Sequence, residues 1–234
     1  MPDQPQTYAP GLYALIGPAN VYVLDDTESG VTIIDAGLPG TARRVMALIQ
    51  DIGRKPQDVQ NILITHTDLD HVGDLAALVK ATGAQVHAHP QAQIYLRNRQ
   101  LPPHLHFPMD LIAGSVSFFV LKVVEVDQVV ADGDTLAFAG GIQVIATPGH
   151  TPDHMSYFWE HERVLFAGDL FSNEGKGLSL MRRQITYDIA AVKQSARRAL
   201  ALDPAIICPG HGSVWMAAQA PEQVELLRTS LSNS

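Results

Sequence analysis

Short apolar runs, separated by glycine, proline and polar turns, set the pattern of the first third of the chain. Such runs predict β-strands at residues 12–16, 20–24, 31–35, 61–65 and 85–88. After the third run, Val45, Leu48 and Ile49 recur at helical spacing and predict a helix over residues 41–52. A second helical face follows over residues 75–82. This alternation of strands and helices is typical of a layered α/β fold.

The rest of the chain repeats this pattern after a proline-rich interruption. Residues 90–117 contain Pro102, Pro103 and Pro108, and they predict a helix followed by a flap insertion. Strands are predicted at residues 120–126, 135–138, 142–146, 155–159, 164–167 and 205–208, and helices at 188–202 and 222–231.

Two successive passes of strands followed by helices predict an αββα sandwich, in which two mixed β-sheets pack together and helices cover the outer faces. No linker or shift in composition divides the chain, so residues 1–234 are predicted to form a single domain. Residues 1–10 are polar and proline-rich, which predicts a loose N-terminal arm.

Composition and charge narrow the classes of partner. The formal charge is −8 at pH 7, without a block of like charge, which disfavours nonspecific binding to nucleic acid or to anionic membranes. No stretch approaches the roughly 18 apolar residues of a membrane span. No apolar signal core follows Met1, and Cys208 is the only cysteine, so a reducing, cytoplasmic location is expected. The acidic charge says little about a small-molecule substrate, because a metal site carries its own local positive charge.

The densest group of reactive side chains is the run His66-Thr67-Asp68-Leu69-Asp70-His71, directly after a predicted strand. A loop of this kind can aim several imidazoles and carboxylates at one point, and such groups suit zinc, iron or manganese. The alternative is a solvated loop in which Thr65 or Asp68 caps the next helix. Three later strands each lead to a ligand-type residue beside glycine, namely His150, Asp169 and His211. Their combination favours a metal site.

These motifs, taken in order, resemble those of the metallo-β-lactamase fold hydrolases. That family carries His-x-His-x-Asp-His, then Gly-His, Gly-Asp and a final Gly-His. The resemblance extends from about Tyr13 to Trp215 and includes Ile34-Asp35-Ala36-Gly37, which is similar to the family's early strand-end aspartate. It implies two divalent metal ions, with zinc favoured and iron or manganese as alternatives. The implied ligands are His66 and His150 for the first metal, Asp70, His71 and His211 for the second, and Asp169 as the bridge. Asp35 is implied to hydrogen-bond near His71.

One position departs from the family pattern, because Asp68 stands where the second histidine is expected. In one interpretation Asp68 is a ligand, and its carboxylate shifts the preference of the first site toward iron or manganese. In the other, the shorter side chain falls out of reach and the first site is weak or empty. Both interpretations stay open at this point.

The resemblance implies hydrolysis by a hydroxide held between the two metals, with Asp70 orienting the nucleophile and receiving a proton. The expected substrate is a small ester-like molecule, such as a lactone, a thioester or a β-lactam. A di-iron redox protein related to the flavodiiron enzymes, which carry glutamate at the position of Asp68, is one alternative. A small-molecule phosphodiesterase is another. A non-enzymatic scaffold is disfavoured because only one ligand position is altered.

Three loops are expected to border the substrate pocket, at residues 38–41, 102–112 and 171–186. The side chains considered for substrate contact there are His104, His106, Phe107, Met109, Lys176, Arg182 and Arg183. Histidines and arginines at such places are more often solvated, and Phe107 is also explained by packing on the core or at a dimer interface. The apolar flap leaves a homodimer open. His154 is not expected to be a ligand, His87 and His89 have no assigned role, and Cys208 is expected to pack within a strand.

Overall fold

A computed structural model describes residues 6–105, 108–175 and 177–232. The interpretations of His106, Phe107 and Lys176, and of the first half of the N-terminal arm, therefore lie outside the described residues. The strands are β1 (Thr7–Ala9), β2 (Leu12–Leu15), β3 (Val21–Asp26), β4 (Gly30–Ile34), β5 (Val59–Leu63), β6 (Gln85–Ala88), β7 (Gln128–Val129), β8 (Thr135–Leu136), β9 (Ile142–Ala146), β10 (Met155–Trp159), β11 (Val164–Asn173), β12 (Ser179–Leu180), β13 (Ile206–Gly212) and β14 (Trp215–Met216). The helices are α1 (Thr41–Asp51), α2 (Leu69–Val72), α3 (Leu75–Thr82), α4 (Pro90–Asn98), α5 (Met109–Val120), α6 (Ile189–Ala201) and α7 (Pro221–Ser232).

Two mixed sheets form the centre of the fold. In the first, the strands lie in the order β1-β2-β3-β4-β5-β6-β7, with antiparallel pairing up to β4 and parallel pairing from β4 onward. In the second, the order is β14-β13-β11-β10-β9-β8, with β12 also paired to β11. The β11–β13 pair is parallel.

Three apolar clusters separate four layers. One lies between the first sheet and the helices α1, α3 and α4, and another lies between the second sheet and the helices α6 and α7. The third fills the space between the two sheets, where Tyr22 and Ile34 of the first sheet meet Tyr157 and Phe166 of the second. The predicted αββα sandwich is confirmed. Cys208 belongs to this middle cluster, as expected for a packing residue.

The loose-arm prediction is wrong for its last residues. Thr7–Ala9 forms β1, which pairs antiparallel with β2 because Ala9 is buried in the core between the sheets. The strand predicted at residues 120–126 is also wrong. Val120 ends α5, and the ladder with β6 begins only at Gln128, although Leu121 and Val124 still pack into the core of the first sheet. Apolar β-branched residues alone therefore misled the strand prediction.

The two central strands of the second sheet run further than predicted. Expected to stop at residues 167 and 208, β11 and β13 continue through Asp169 and His211. Their parallel register is irregular on both sides of Gly168, which has φ of +51°. Both side chains are therefore held by strands rather than by loops. No helix in the described ranges is long and apolar enough to cross a membrane.

Candidate metal centre

The run from His66 to His71 lies where β5 ends and α2 begins. Asp68 occupies the N-cap position of α2, and its carbonyl accepts hydrogen bonds from the backbone N–H groups of His71 and Val72 at 2.9 and 3.0 Å. Its carboxylate makes no capping hydrogen bond. The capping alternative is thus wrong for the Asp68 side chain, which points instead toward the histidines.

The first donor cluster consists of His66, Asp68 and His150, whose donor atoms lie within 4.8 Å of one another. Asp68 Oδ2 is 3.5 Å from His66 Nε2 and 3.1 Å from His150 Nε2. All three residues are buried. The shorter carboxylate therefore reaches the place that an imidazole was expected to fill.

The second donor cluster consists of Asp70, His71 and His211, and Asp169 lies between the two clusters. Asp169 Oδ1 is 3.3 Å from His71 Nε2, while Oδ2 is 3.2 Å from His211 Nε2 and 3.4 Å from His150 Nε2. Asp70 Oδ2 is 3.5 Å from His211 Nε2. All seven side chains predicted as ligands thus converge, and Asp169 occupies the position of a bridge.

A buried hydrogen-bond network below the clusters fixes the histidine tautomers. Asp35 Oδ2 accepts from His71 Nδ1 and from the Thr65 hydroxyl, both at 2.8 Å. Because that hydroxyl has donated its only proton, it accepts from His66 Nδ1 at 3.0 Å. In their neutral form both rings therefore carry the proton on Nδ1 and present a bare Nε2 to the site, the arrangement that partners behind metal-binding histidines enforce. The position expected for Asp35, close to His71, is confirmed.

The other end of the site is held through the backbone of β13. His211 Nδ1 donates to the carbonyl of Pro18. The Asn20 side chain donates to the carbonyls of Pro209 and Gly212 at 3.0 and 2.8 Å, and the Tyr22 hydroxyl donates to Pro209 at 2.7 Å. These contacts join the start of the first sheet to the strand that carries His211.

Burial and charge have opposite effects on the pKa values of His71, Asp169 and Asp68. Burial favours neutral groups, yet the Asp169 and Asp35 carboxylates raise the pKa of His71 well above its ordinary value. Burial likewise opposes ionisation of Asp169, but His71, His211 and His150 hold the pKa of that carboxyl well below its usual range. The pKa of Asp68 is lowered in the same way by His150 and His66. A bound divalent cation would balance the same carboxylates.

The donor set fits divalent cations. Within the described residues, His66 Nε2, His71 Nε2, Asp68 Oδ1 and Asp169 Oδ1 are buried and have no hydrogen-bond partner. Buried polar atoms of this kind are costly unless a ligand engages them. The four carboxylates, when ionised, bring four negative charges, which two divalent cations would neutralise. The carboxylates belong to Asp35, Asp68, Asp70 and Asp169.

Three histidines outside the predicted ligand set, His154, His87 and His104, lie in different surroundings. His154 is buried behind His66, with ring centroids 5.0 Å apart, and its Nδ1 contacts Thr147 Oγ1 at 2.8 Å. Burial lowers its pKa well below the ordinary value, and among the described residues it joins neither donor cluster, as expected. His87 bonds to Asn61, away from the site. His104, predicted only as a contact for substrate, is buried, with Nε2 at 3.2 Å from Asp68 Oδ2.

An apolar cavity of about 410 Å³ opens directly onto the donor clusters. Most of its apolar walls come from the residues before α5 and from α5 itself, namely Leu101, Leu105, Met109, Ile112, Ala113 and Val116, and Leu69 and Ile185 complete them. Met109, one of the apolar side chains considered for substrate contact from the sequence, lines this cavity. The flap insertion thus places a hydrophobic wall opposite the carboxylates.

Gly210 leaves the space that the Asp169 carboxylate occupies. A Cβ at this position would lie 1.9 Å from Asp169 Oδ1 and 2.9 Å from His71 Cε1. We expect Gly210→Ala to push Asp169 away and to lower bound metal by at least one equivalent per chain, which elemental analysis of the purified protein will measure. Gly114→Ala is the control, since nothing lies within 4 Å of its added Cβ. Full metal content in Gly210→Ala would contradict this account.

The comparison with known families agrees with this arrangement. The model of the metallo-β-lactamase superfamily matches residues 15–211. The chain belongs to this superfamily. It is accordingly a metal-binding hydrolase of a superfamily whose members bind divalent metals, typically zinc.

Curated relatives within the superfamily include several named hydrolases. The uncharacterized protein YobT of Bacillus subtilis is 32% identical, covering 72% of this chain and 67% of that protein. A hydroxyacylglutathione hydrolase of Rhodopseudomonas palustris is 34% identical over 67% of this chain and 49% of that protein. The atrochrysone carboxyl ACP thioesterase of Aspergillus fumigatus is 26% identical over 94% of this chain and 58% of that protein.

Solved structures share the fold over nearly the whole chain. A structure described as the first B3 metallo-β-lactamase with an active-site glutamic acid is 26% identical, with a TM-score of 0.70, and covers 99% of this chain and 91% of that one. A metallo-β-lactamase family protein of Thermus thermophilus is 22% identical, with a TM-score of 0.71, and covers 96% of this chain and 80% of that one.

Proposed function

We propose that this chain is a dinuclear metal-dependent hydrolase of a small ester-like substrate with an apolar acyl part. The observation that carries the proposal is the position of Asp169 between two donor clusters that line an apolar cavity. His66, Asp68 and His150 would hold one cation, Asp70, His71 and His211 the other, and Asp169 both. Bound cations would supply Lewis acidity and an activated water for attack on a carbonyl carbon.

The chain's own residues would orient the reactants. Asp35 and Thr65 hold the rings of His71 and His66, so the two donor clusters keep their spacing. Asp70 has a partly exposed side chain, 33% accessible, which distinguishes it from the buried Asp68 and Asp169. A partly solvated carboxylate beside the attack position can orient the nucleophile and take its proton. Asp70 is therefore the proposed catalytic carboxylate.

The cavity favours an acyl group over a phosphoryl group. A phosphodiester brings negative charge, and the cavity walls beyond the donor clusters, within the described part of the chain, offer apolar side chains and no lysine or arginine. Two of the relatives carry names that refer to acyl substrates, a hydroxyacylglutathione hydrolase and a carboxyl ACP thioesterase. Acyl thioesters and lactones are thus the preferred substrate classes, followed by a β-lactam and then by a phosphodiester. Zinc is the preferred metal.

The first test is metal analysis followed by a substrate panel. Protein purified without added metal should contain two equivalents of divalent metal, and it should hydrolyse one of the lactone, thioester or β-lactam substrates. A chelator should remove both the metal and the activity. Two equivalents of iron, oxygen consumption with a reductant and no ester hydrolysis would instead favour the di-iron redox alternative.

The apolar wall gives a second test, with acyl chains of increasing length. We expect kcat/KM to rise with chain length, and Ile112→Asn to lower it by about tenfold for the longest chain, since burying two or three methylenes contributes roughly 1.5–2.5 kcal/mol. Short-chain substrates should be almost unaffected. Leu111→Asn is the matched control, because Leu111 lies on the same helix, is similarly exposed and does not line this cavity. An equal loss for short and long chains would contradict an acyl pocket.

A further inference from the structure

The first donor cluster has an additional imidazole beside it, contributed by the flap rather than by the metal-binding motifs. His104 follows Pro102 and Pro103 between α4 and α5, and its side chain has an exposed fraction of only 5%. Its Nε2 lies 3.2 Å from Asp68 Oδ2, and its ring centroid lies 5.1 Å from that of His150. Asp68 is the residue that replaces the expected histidine.

The backbone determines which nitrogen of His104 faces the site. His104 Nδ1 lies 3.0 Å from the carbonyl oxygen of Pro102, and a carbonyl can only accept. The proton of the neutral ring is therefore on Nδ1, and Nε2 presents a lone pair to Asp68 Oδ2. Two acceptors facing each other at 3.2 Å repel unless a cation lies between or beside them.

We propose that His104 is a ligand of the first metal and supplies the imidazole that Asp68 removes from the metal-binding run. The ligand set of that metal would then comprise His66, Asp68, His104 and His150, with Asp169 shared with the second metal. This inference rests on the proposed dinuclear site and adds a residue from outside the family's motif positions.

The donor spacing supports this assignment. Around a metal with five ligands at about 2.0–2.1 Å, adjacent ligand atoms lie about 2.9–3.5 Å from one another. Asp68 Oδ2 is 3.5 Å from His66 Nε2, 3.1 Å from His150 Nε2 and 3.2 Å from His104 Nε2. Among the described residues, no group of donor atoms within 4.8 Å of one another includes His104. His104 contacts the cluster only through Asp68, and its side chain would have to move toward the cation from the flap side to bind it.

The same tautomer control recurs at three of the four histidines of the motif positions, whereas His150 Nδ1 is buried without a hydrogen-bond partner in the described part of the chain. In His71, His66 and His211, Nδ1 donates a hydrogen bond to Asp35 Oδ2, Thr65 Oγ1 and the Pro18 carbonyl, respectively. Each of these acceptors is held in place by the fold. His104 has this feature as well, whereas a histidine that contacts substrate needs no such support. A carbonyl that holds Nδ1 is a frequent partner of a metal-binding histidine.

The test measures metal binding by the full chain and does not depend on activity. His104→Ala and His104→Gln should weaken binding of one Zn²⁺ by about tenfold or more in competition with a chromophoric chelator, and leave the other within about threefold, as the loss of a single ligand predicts. His161→Ala is the control, since that side chain is 76% exposed and pairs with Glu162. Unfolding of the metal-free proteins will show that all variants are folded.

Cobalt substitution distinguishes a ligand from a group that only orients Asp68. In Co²⁺-loaded protein, each coordinated histidine with a proton on Nδ1 contributes one exchangeable, hyperfine-shifted proton resonance. His104→Gln should remove one such resonance. Asp68→His should restore zinc affinity in the His104→Gln background, because three imidazoles would again surround the first metal. An unchanged number of resonances, or unchanged affinity for both metals, would overturn the assignment of His104.

These outcomes separate this inference from the proposed function. If the wild-type chain binds two metals and hydrolyses an ester while the His104 variants bind both metals normally, only the role of His104 is wrong. If the wild-type chain binds fewer than two metals, the dinuclear proposal itself fails, and the assignment of His104 fails with it.

Discussion

Asp169→Asn should leave a folded protein with at most one bound metal per chain. Its rate of hydrolysis should fall by more than about 100-fold, which exceeds the loss typical of substituting a residue that only hydrogen-bonds to a metal ligand. Asp169 approaches His71 through one oxygen and both His150 and His211 through the other, at 3.3, 3.4 and 3.2 Å. An amide carries no charge and offers a single acceptor oxygen, so it cannot serve both clusters. Elemental analysis and kcat/KM on the best panel substrate will measure the two effects.

Asp153→Asn provides the control for burying an amide in place of a carboxylate. Asp153 is fully buried, and its Oδ2 accepts from Thr67 Oγ1 at 2.8 Å, a bond that an amide oxygen can still accept. It belongs to neither donor cluster. Its metal content should stay within about twofold of wild type, as expected for a change that removes no ligand. If Asp169→Asn also keeps two metals, Asp169 is not the bridge.

Asp35→Ala should have the largest effect on stability, lowering the free energy of unfolding by about 3–5 kcal/mol, as breaking one partner of a buried charged network does. Asp35 accepts three hydrogen bonds, from the Thr65 N–H, the Thr65 hydroxyl and His71 Nδ1, each at 2.8 Å. Its φ of +62° adds strain for alanine. Affinity for the second metal should fall by about 10–100-fold. Urea unfolding and zinc competition will check both.

Two further variants separate the contributions of the individual hydrogen bonds that Asp35 accepts. Asp35→Asn tolerates the left-handed backbone and can still accept from the Thr65 N–H, so the stability loss should be smaller than in Asp35→Ala. Thr65→Val keeps the side-chain volume and removes only the link between Asp35 and His66. It should weaken the first metal and spare the second. Equal weakening of both metals in Thr65→Val would contradict the separate control of the two rings.

Most regular elements could be predicted because their apolar periodicity is local. The predicted spans of β6, β9 and β10 agree with the structure residue by residue. Predictions failed where pairing, rather than pattern, decides the outcome. The apolar residues after Val120 resemble a strand but have no ladder partner until Gln128. Conversely, β11 extends past Gly168 because it pairs with β12 and with β13 there.

The sequence by itself predicted the set of donor residues that the structure brings together, namely the run from His66 to His71 and the later His150, Asp169 and His211. It also identified Asp68 as the exception. Only the tertiary structure shows where the Asp68 carboxylate lies and which side chains surround it. The Asp68 carboxylate lies among His66, His150 and His104, and the last of these comes from a flap with no motif of its own. The contacts of the Pro18 carbonyl and of Asn20 with β13 were equally unpredictable, because they join segments far apart in sequence through backbone carbonyls that every residue possesses. The Thr65 hydroxyl, which links Asp35 to His66, belongs to no motif.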